Sequence, residues 1–260
     1  MSVNESYHLS TEIGGQIMQL KEALKFITNI KHFKGLFRKS IATIESIENP
    51  YEDYYVIKLA TAPGFTWNPG EHGIFKLIGK DIKGTDYRLF SVASIPEEGY
   101  ILLGIRTGKE PSSYKKELIS MKKGEKVSLS GPFGWFKLMD RTSPLVLFAS
   151  GVGITPIRAL LKELENDMNR PVEVVYASYQ FYLFEEEIER IVNNNPKITL
   201  HKTVTPEETQ HKLTKLATQY GNNAYYYNSG APAVLESVKT LLNAKGINDK
   251  RIVDDTLKGY

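Results

Sequence analysis

Residues 145–156 place an uninterrupted apolar strand directly before a glycine-rich turn. Leu145–Ser150 reads Leu-Val-Leu-Phe-Ala-Ser, the turn contains Gly151 and Gly153, and Pro156 stands where a helix would begin. A strand without polar alternation fits a parallel sheet that is covered on both faces. Proline suits the first turn of a helix, where free N–H groups also favour an anion such as a pyrophosphate. The segment predicts a strand–turn–helix unit, and a turn without any ligand would give the same pattern.

Strands and helices continue to alternate towards the C-terminus. We predict further strands at Val172–Ser178, Ile198–Lys202, Tyr225–Asn228 and Arg251–Val253, and helices at Pro156–Asp167, Phe184–Val192 and Pro232–Ala244. This alternation is typical of an α/β, Rossmann-like domain in which helices cover both faces of a parallel sheet. We assign residues 144–260 to this domain because a polar stretch ending at Pro144 separates it from the preceding region.

Residues 37–143 have a different pattern, in which short β-rich segments are bounded by Gly, Pro, Asn or Asp. The predicted strands are Tyr54–Ala60, Ile74–Ile78, Tyr87–Ser94, Tyr100–Arg106 and Glu125–Ser130, and one short helix fits Ser112–Met121. Strands at such regular spacing predict a small antiparallel β-barrel. The chain is therefore expected to have two domains of different class.

Arg88 and Ser91 lie on one of the predicted barrel strands. Side chains three apart on a strand face opposite sides, so this spacing suits a long anionic ligand that crosses the strand. An exposed strand whose arginine forms a surface ion pair would give the same spacing.

The composition excludes several classes of site. The chain has no cysteine, so it can hold no disulfide, thiolate zinc site or iron–sulfur cluster of its own. Its five histidines show no ligand spacing, and we expect no metal site. The net charge of +3 equals the excess of six Lys/Arg over three Glu in residues 1–40. The remaining residues form no basic stripe of the kind that nucleic-acid binding requires.

Residues 1–36 are predicted to form an amphipathic helical extension. Its apolar stripe consists of Ile13, Ile17, Leu20, Leu24, Ile27 and Ile30, at helical spacing. A helix within residues 10–34 could pack on the domain, form a dimer contact or lie on a membrane surface. The sequence has no apolar run of about 20 residues and no secretion signal, so we expect a cytoplasmic protein with membrane association left open.

Three ordered motifs make residues 40–260 resemble the ferredoxin–NADP reductase superfamily, with its FR-type FAD-binding domain. Arg88-Leu89-Phe90-Ser91 is similar to the family's Arg-x-Tyr-Ser, Gly131-Pro132-Phe133-Gly134 to its Gly-Pro-x-Gly, and Gly151–Pro156 to its Gly-x-Gly-x-Thr-Pro. The resemblance implies a Greek-key, flavin-binding barrel followed by a nicotinamide-nucleotide domain.

The resemblance also implies roles for individual residues. Arg88 would bind the FAD pyrophosphate, Leu89 and Phe90 would lie along the flavin, and Ser91 would donate a hydrogen bond near flavin N5. The looser match Gly108–Ser113 would place Ser112 and Ser113 at the pyrophosphate. The remaining cofactor-binding residues implied are Gly131, Pro132, Gly134, Gly151, Gly153, Thr155, Pro156, Gly230 and Tyr260. Ser91, Thr155 and Ser229 would be the catalytic residues.

The sequence departs from the family at two places. Ser229 stands in Asn228–Pro232 where most relatives have the cysteine of Cys-Gly-Pro, and its hydroxyl remains polar and similar in size. Users of NADPH place an arginine after the second strand of the sheet, whereas this chain has Tyr176-Ala-Ser-Tyr-Gln180 and then Glu185–Glu187. We therefore expect NADH to be favoured over NADPH.

The resemblance implies an FAD-dependent oxidoreductase. A hydride would pass from NAD(P)H to flavin N5, and electrons would leave to a separate acceptor: a ferredoxin or flavodoxin, a ferric chelate, free flavin or a membrane partner. The alternative is a flavin- or nucleotide-binding regulatory subunit without efficient hydride transfer, which the two departures would explain.

Overall fold

Six antiparallel strands form the first domain of the computed structural model, which describes residues 35–255. The strands are β1 (Lys39–Tyr51), β2 (Tyr54–Ala60), β3 (His72–Leu77), β4 (Tyr87–Ser91), β5 (Tyr100–Arg106) and β6 (Lys126–Phe133). Their order is β4-β3-β6-β1-β2-β5, and the Ala93 N–H donates to the Leu102 carbonyl at 2.7 Å where the two edge strands approach. The sheet therefore curves into the barrel that the sequence predicts.

The barrel interior is filled by alternate residues of the strands. Buried positions include Ala42, Ile44, Ile57, Leu59, Phe75, Leu103, Ile105, Val127 and Leu129. Helix α1 (Ser113–Ser120) packs on this core through Tyr114, which is fully buried and donates its hydroxyl to the Phe75 carbonyl at 2.9 Å. This contact fixes α1 beside the edge strand β4, where the candidate site lies.

The second domain is a five-stranded parallel sheet with helices on both faces. Its strands are β7 (Leu145–Ser150), β8 (Val172–Ala177), β9 (Ile198–Thr203), β10 (Tyr225–Ser229) and β11 (Ile252–Asp255), in the order β11-β10-β7-β8-β9. Its helices are α2 (Ile154–Leu164), α3 (Glu185–Asn194), α4 (Pro206–Tyr220) and α5 (Pro232–Ala244). Strand β7 turns Leu147 towards α2 and α3, and Phe148 towards α4 and α5. The predicted fold class is confirmed.

Two elements were missed by the sequence analysis. Strand β1 alternates poorly, because its outward position Ile41 is also apolar and 56% exposed. Helix α4 is mostly polar, but it begins with a capping box in which Thr205 and Glu208 bind each other's backbone N–H groups. That Thr-Pro-Glu-Glu signal could have located the helix.

Residues 1–34 and 256–260 lie outside the described residues, and so do the predicted helix at 10–34 and Tyr260. None of the helices within 35–255 has the length and apolar character needed to cross a membrane.

The two domains share one hydrophobic cluster. Tyr54 of β2 and Phe136 of the connecting segment pack among residues of the second domain, including Ile154 and Tyr227. Phe181, in the loop after β8, stacks on Tyr51 of the barrel with ring centroids 4.9 Å apart. Buried aromatic packing of this kind holds the edge of the barrel against the carboxyl ends of the parallel strands.

Candidate functional site

A cleft of about 430 Å³ lies where the edges of the barrel sheet meet the glycine turn. It is lined by Leu89, Phe90 and Ser91 of β4, by Gly104, Ile105 and Arg106 of β5, by Lys115 of α1, and by Val152, Thr155 and Pro156 of the second domain. The two motifs that are 63 positions apart in the sequence therefore form opposite walls of a single cleft.

A group of cations and donors lies at the α1 end of this cleft. Arg88 Nη2 donates to Ser112 Oγ at 3.2 Å, and Nη1 donates to the carbonyls of Thr85 and Tyr87. Ser112 is the N-cap residue of α1 and accepts from the Lys115 N–H. Burial, together with the positive charge of Arg88, lowers the pKa of the Lys115 ammonium. Two cations beside a helix N-terminus suit a diphosphate, whose charge would relieve their repulsion.

Phe90 forms an apolar part of the cleft wall. Its ring is 9% exposed and lies 5.8 Å from the ring of Phe75 and 6.2 Å from that of Tyr114. The packed rings hold Phe90 in place from behind. This arrangement offers a rigid surface to a flat aromatic ligand.

Asp255, the last residue of β11, joins two of the predicted catalytic residues. Ser91 Oγ donates to Asp255 Oδ2 at 3.0 Å, and Ser229 Oγ donates to the same oxygen at 3.1 Å. Burial raises the pKa of the Asp255 carboxyl to about 6, although both serine hydroxyls act to lower it. The sequence analysis did not assign Asp255 a role. The signal that could have found Asp255 was an acidic residue at the end of a core strand. Its position beside β4 depends on the tertiary structure.

Glycine is required where the turn approaches β10. A Cβ atom on Gly153 would overlap the Ser229 carbonyl, and one on Gly230 would lie 2.9 Å from the Ser150 Cβ. Gly153 has a helical backbone with φ −60°, so close approach and not conformation demands glycine here. The turn therefore lies directly against the segment that carries Ser229.

Thr155 fastens the turn to the barrel. Its Oγ1 hydrogen bonds to the Gly104 carbonyl of β5 at 3.1 Å and to the Val152 carbonyl at 2.8 Å. A Cβ on Gly104 would lie 2.8 Å from Thr155 Oγ1 and from a methyl group of Leu183. The absence of a side chain at Gly104 thus permits direct contact between the two domains.

Some predicted site residues lie away from the cleft wall. The Ser113 hydroxyl accepts from the Lys83 N–H, whereas its neighbour Ser112 contacts Arg88. Gly131 and Pro132 belong to the last residues of β6 and Gly134 follows the strand, with both glycines next to His72. Burial lowers the pKa of His72 to about 4, which keeps this ring neutral at pH 7. These positions shape the end of the barrel and do not line the cleft themselves.

A second, open cleft of about 960 Å³ lies at the carboxyl ends of the parallel strands. Its lining residues are Phe148, Ser150, Ala177, Ser178, Tyr179, Val204, Thr205, Pro206, Thr209, Gln210, Leu213, Ala233, Val234, Ser237, Val238 and Leu241. None of these lining residues carries a charge. Ligands of doubly wound sheets bind at this end of the strands, so the second cleft extends the site beyond the glycine turn.

The acidic run at 185–187 has partners that the sequence analysis did not foresee. Glu185 binds Lys202 at 2.7 Å, and Glu187 binds the buried Arg158 at 2.7 Å. Two of the three carboxylates are therefore neutralised locally. This acidic run therefore repels a phosphate less than the sequence suggested. The uncharged lining of the second cleft is the stronger argument against a bound 2′-phosphate.

The sequence is similar to components of two redox systems, although no protein-family model matches it. It is 28% identical over 211 residues to the F subunit of the Na(+)-translocating NADH-quinone reductase of Klebsiella pneumoniae, covering 69% of this chain and 51% of that protein. It is 28% identical over 203 residues to the toluate 1,2-dioxygenase electron transfer component of Pseudomonas putida, covering 74% and 59%. The chain thus spans about half the length of the curated relatives it matches.

Solved structures share the fold. A mutant of ferredoxin–NADP+ reductase from Plasmodium falciparum with 2′P-AMP superposes with a TM-score of 0.71 at 19% identity, covering 86% of this chain and 99% of that one. The ferredoxin reductase of carbazole 1,9a-dioxygenase gives a TM-score of 0.72 at 18% identity, covering 85% and 67%. These superpositions show that the overall two-domain fold is shared with these proteins.

Proposed function

We propose that the chain is a member of the ferredoxin–NADP reductase superfamily and an FAD-dependent oxidoreductase that takes electrons from NADH and passes them to a separate acceptor. The observation that carries the proposal is the single cleft walled by β4 on one side and by the turn 151–156 on the other. Two cofactor sites that open into one cleft allow direct transfer between their ligands.

The barrel residues fit FAD in chemistry and position. Arg88, Ser112 and Lys115 would hold the diphosphate, and Leu89 and Phe90 would support the flat ring system. A bound flavin supplies the redox chemistry, accepting two electrons from a nicotinamide and releasing them singly or in pairs. The protein's own contribution is to align the two rings and to exclude water between them.

Asp255 supports this function because its carboxyl can hold a proton beside the cleft. Its carboxyl has a pKa of about 6 and contacts Ser91 Oγ, which lines the cleft. At pH values near 6 the carboxyl holds a proton for much of the time, and the serine hydroxyl can relay a proton between Asp255 Oδ2 and the cleft. The Ser229 hydroxyl donates to the same oxygen.

NADH is the better match for the second cleft. Tyr179, at the rim of this cleft, is 70% exposed, and none of the lining residues carries a positive charge that could form an ion pair with a 2′-phosphate. Lys202, on the neighbouring strand β9, is already bound by Glu185 and Glu189 at 2.7 Å each. A nucleotide with a free 2′-hydroxyl avoids burying an unpaired phosphate charge there.

The test is the visible spectrum of the purified protein before and after addition of NADH or NADPH without oxygen. We expect bound FAD, rapid bleaching by NADH and slower bleaching by NADPH. A flavin that stays oxidised with both nucleotides would contradict the enzyme and support the regulatory alternative.

Arg88→Ala tests the assignment of the diphosphate site. This variant should be folded and largely free of flavin. Arg251→Ala should keep the flavin, because Arg251 packs on Tyr225 at the amino ends of β10 and β11, away from the cleft at their carboxyl ends. Full flavin occupancy of Arg88→Ala would refute the site. The acceptor remains to be identified by assaying the reduced protein with ferredoxins, flavodoxins, ferric chelates, free flavin and membrane fractions.

A further inference from the structure

Arg158 is a buried cation in α2, three residues beyond Thr155 and 2% exposed. It makes contacts in both domains. On the barrel side, Nη1 donates to the Ala93 carbonyl at 2.7 Å, and Nη1 and Nη2 bind the two carboxylate oxygens of Glu98 at 3.0 and 2.8 Å. On its own side, Nε and Nη2 bind the carboxylate of Glu187 at 2.7 and 2.8 Å.

The contacts of Arg158 lie next to the two walls of the cleft, which are proposed to bind the two cofactors. Ala93 follows Ser91 by two residues, so the hydrogen bond to its carbonyl holds the backbone directly after the candidate flavin strand. Arg158 shares a rigid helix with Thr155, which itself binds Gly104 of β5. The guanidinium and the Thr155 hydroxyl therefore attach α2 to both edges of the barrel.

Further contacts surround the ion cluster. Glu98 also accepts from the Ile95 N–H at 2.8 Å and from the Tyr100 hydroxyl at 3.1 Å, and the Phe184 ring packs 5.5 Å from the guanidinium carbon. Burial acts to raise the pKa of Glu98, but Arg158 holds it below the ordinary value. Two partly buried carboxylates therefore face one buried guanidinium. Such a bidentate fork fixes relative position more tightly than a single point charge would.

We propose that Arg158 is a positioning residue that sets the separation and tilt between the barrel strand that binds flavin and the turn that binds nicotinamide. It lines neither cleft and would touch neither cofactor. The inference rests on the proposed function, because it assigns Arg158 the alignment of the two rings. Small displacements of reacting groups are costly, and about 1 Å can reduce a rate by about 100-fold.

Arg170 provides a matched control. It is also 2% exposed and bound to carboxylates, with Nε 3.1 Å from Asp167 and Nη1 donating to the Asp140 carbonyl at 2.7 Å. Arg170 precedes β8 at the amino ends of the parallel strands, opposite to the glycine turn. Replacing it disturbs a buried ion cluster without touching the surface between β4 and the turn.

The experiment compares Arg158→Lys with Arg170→Lys in the full chain loaded with FAD. Stopped-flow reduction over a range of NADH concentrations gives a limiting rate and an apparent Kd, and the long-wavelength absorbance of stacked rings reports their contact. We expect Arg158→Lys to lower the limiting rate by about 10- to 100-fold and to weaken the stacking band, with flavin content and apparent Kd within about threefold of wild type. Arg170→Lys should lower the melting temperature and leave the limiting rate unchanged.

Equal limiting rates in the two variants would overturn the inference. If Arg158→Lys does not fold, Glu98→Gln replaces it in the test. This variant keeps the shape of the partner side chain and removes its charge from the interface between the domains. An unchanged limiting rate in Glu98→Gln would also overturn the inference. If NADH does not reduce the flavin bound to the wild-type protein, the proposed function itself is refuted. This outcome is distinct from the two results above, which concern only the role of Arg158.

Discussion

At the scale of single residues, the most consequential group is the buried carboxyl of Asp255. Its side chain has no compensating cation among its hydrogen-bond partners, which are the hydroxyls of Ser91 and Ser229. Burial therefore favours the protonated acid, and the pKa rises from 3.8 to about 6. A group in this state links the stability of the fold to pH.

Asp255→Asn tests this linkage. The folded protein retains the proton up to about pH 6, whereas the unfolded chain releases it near pH 3.8, so wild-type stability falls as pH rises between these values. The total loss is about 3 kcal/mol, and it is complete above pH 6. The free energy of unfolding of Asp255→Asn, relative to wild type, should therefore increase by about 3 kcal/mol between about pH 4 and pH 7.

Urea titrations of both proteins across this pH range provide the measurement. Asp249→Asn is the control for the loss of a carboxylate, because that side chain is 71% exposed. A difference between Asp255→Asn and wild type that does not change with pH would show that the carboxyl titrates normally.

At the scale of elements, the strand–turn–helix unit from β7 to α2 determines the site. The apolar strand sets the turn at the carboxyl edge of the sheet, and the 3-10 turn Gly151–Gly153 leads directly into α2. Gly153 allows this turn to lie against Ser229, while Thr155 binds β5. One short unit thus contacts a strand in each domain.

Gly153→Ala should displace the turn. Alanine is a better helix former than glycine, and φ at this position is −60°, so backbone preference alone would make the variant more stable. The added methyl group would instead overlap the Ser229 carbonyl, and we expect a loss of about 3 kcal/mol in the free energy of unfolding. NADH-dependent bleaching should slow as well.

Gly221→Ala separates the effect of steric overlap from the effect of backbone conformation. Gly221 has φ +50° and ψ −140° and open space where an added methyl group would lie, so its substitution should cost about 1–3 kcal/mol through backbone strain and leave bleaching unchanged. A Gly153→Ala protein as stable as wild type would show that the turn and β10 can separate at little cost.

At the scale of the whole molecule, the two domains should unfold together. Tyr54 and Phe136 are buried in a cluster shared with the second domain, and Ser91, Thr155 and Arg158 each form hydrogen bonds across the boundary. Separating the domains would expose this apolar surface and leave buried polar groups unpaired. Although a domain boundary is proposed near residue 143, we therefore expect the domains on its two sides to unfold in one transition.

Thermal unfolding followed by two probes checks this expectation. Trp135 donates its indole N–H to the Asp254 carbonyl of the second domain, so all proteins carry Trp135→Phe. Fluorescence of Trp67, which is 6% exposed, then reports on the barrel, and far-UV circular dichroism reports mainly on the helices of the second domain. The two transitions should coincide in wild type and in the barrel-core variant Ile101→Ala. They should separate in Tyr54→Ala, which weakens the shared cluster, and separate transitions in wild type would refute the expectation.

Much of the fold was readable from local patterns. Leu145–Ser150 and Pro232–Ala244 were predicted with their observed ends, because an apolar strand and a proline-started helix are signalled by neighbouring residues. Strand β1 and helix α4 were missed, since their burial depends on elements distant in the sequence. The resemblance to a known family located Ser91, Thr155 and Ser229 in order along the chain, but their functional roles remain predictions.

Local patterns in the chain predict the two domain classes, the strand–turn–helix unit and the residue types available for an anionic, flat ligand. These predictions follow from periodicity, turn chemistry and composition, which act over a few neighbouring residues. Three contacts depend instead on the folded arrangement: Asp255 joins Ser91 to Ser229, Glu187 binds Arg158, and Arg158 binds the backbone beyond Ser91. Each of these contacts joins segments far apart in the chain, and its strength comes from burial that no single segment can create.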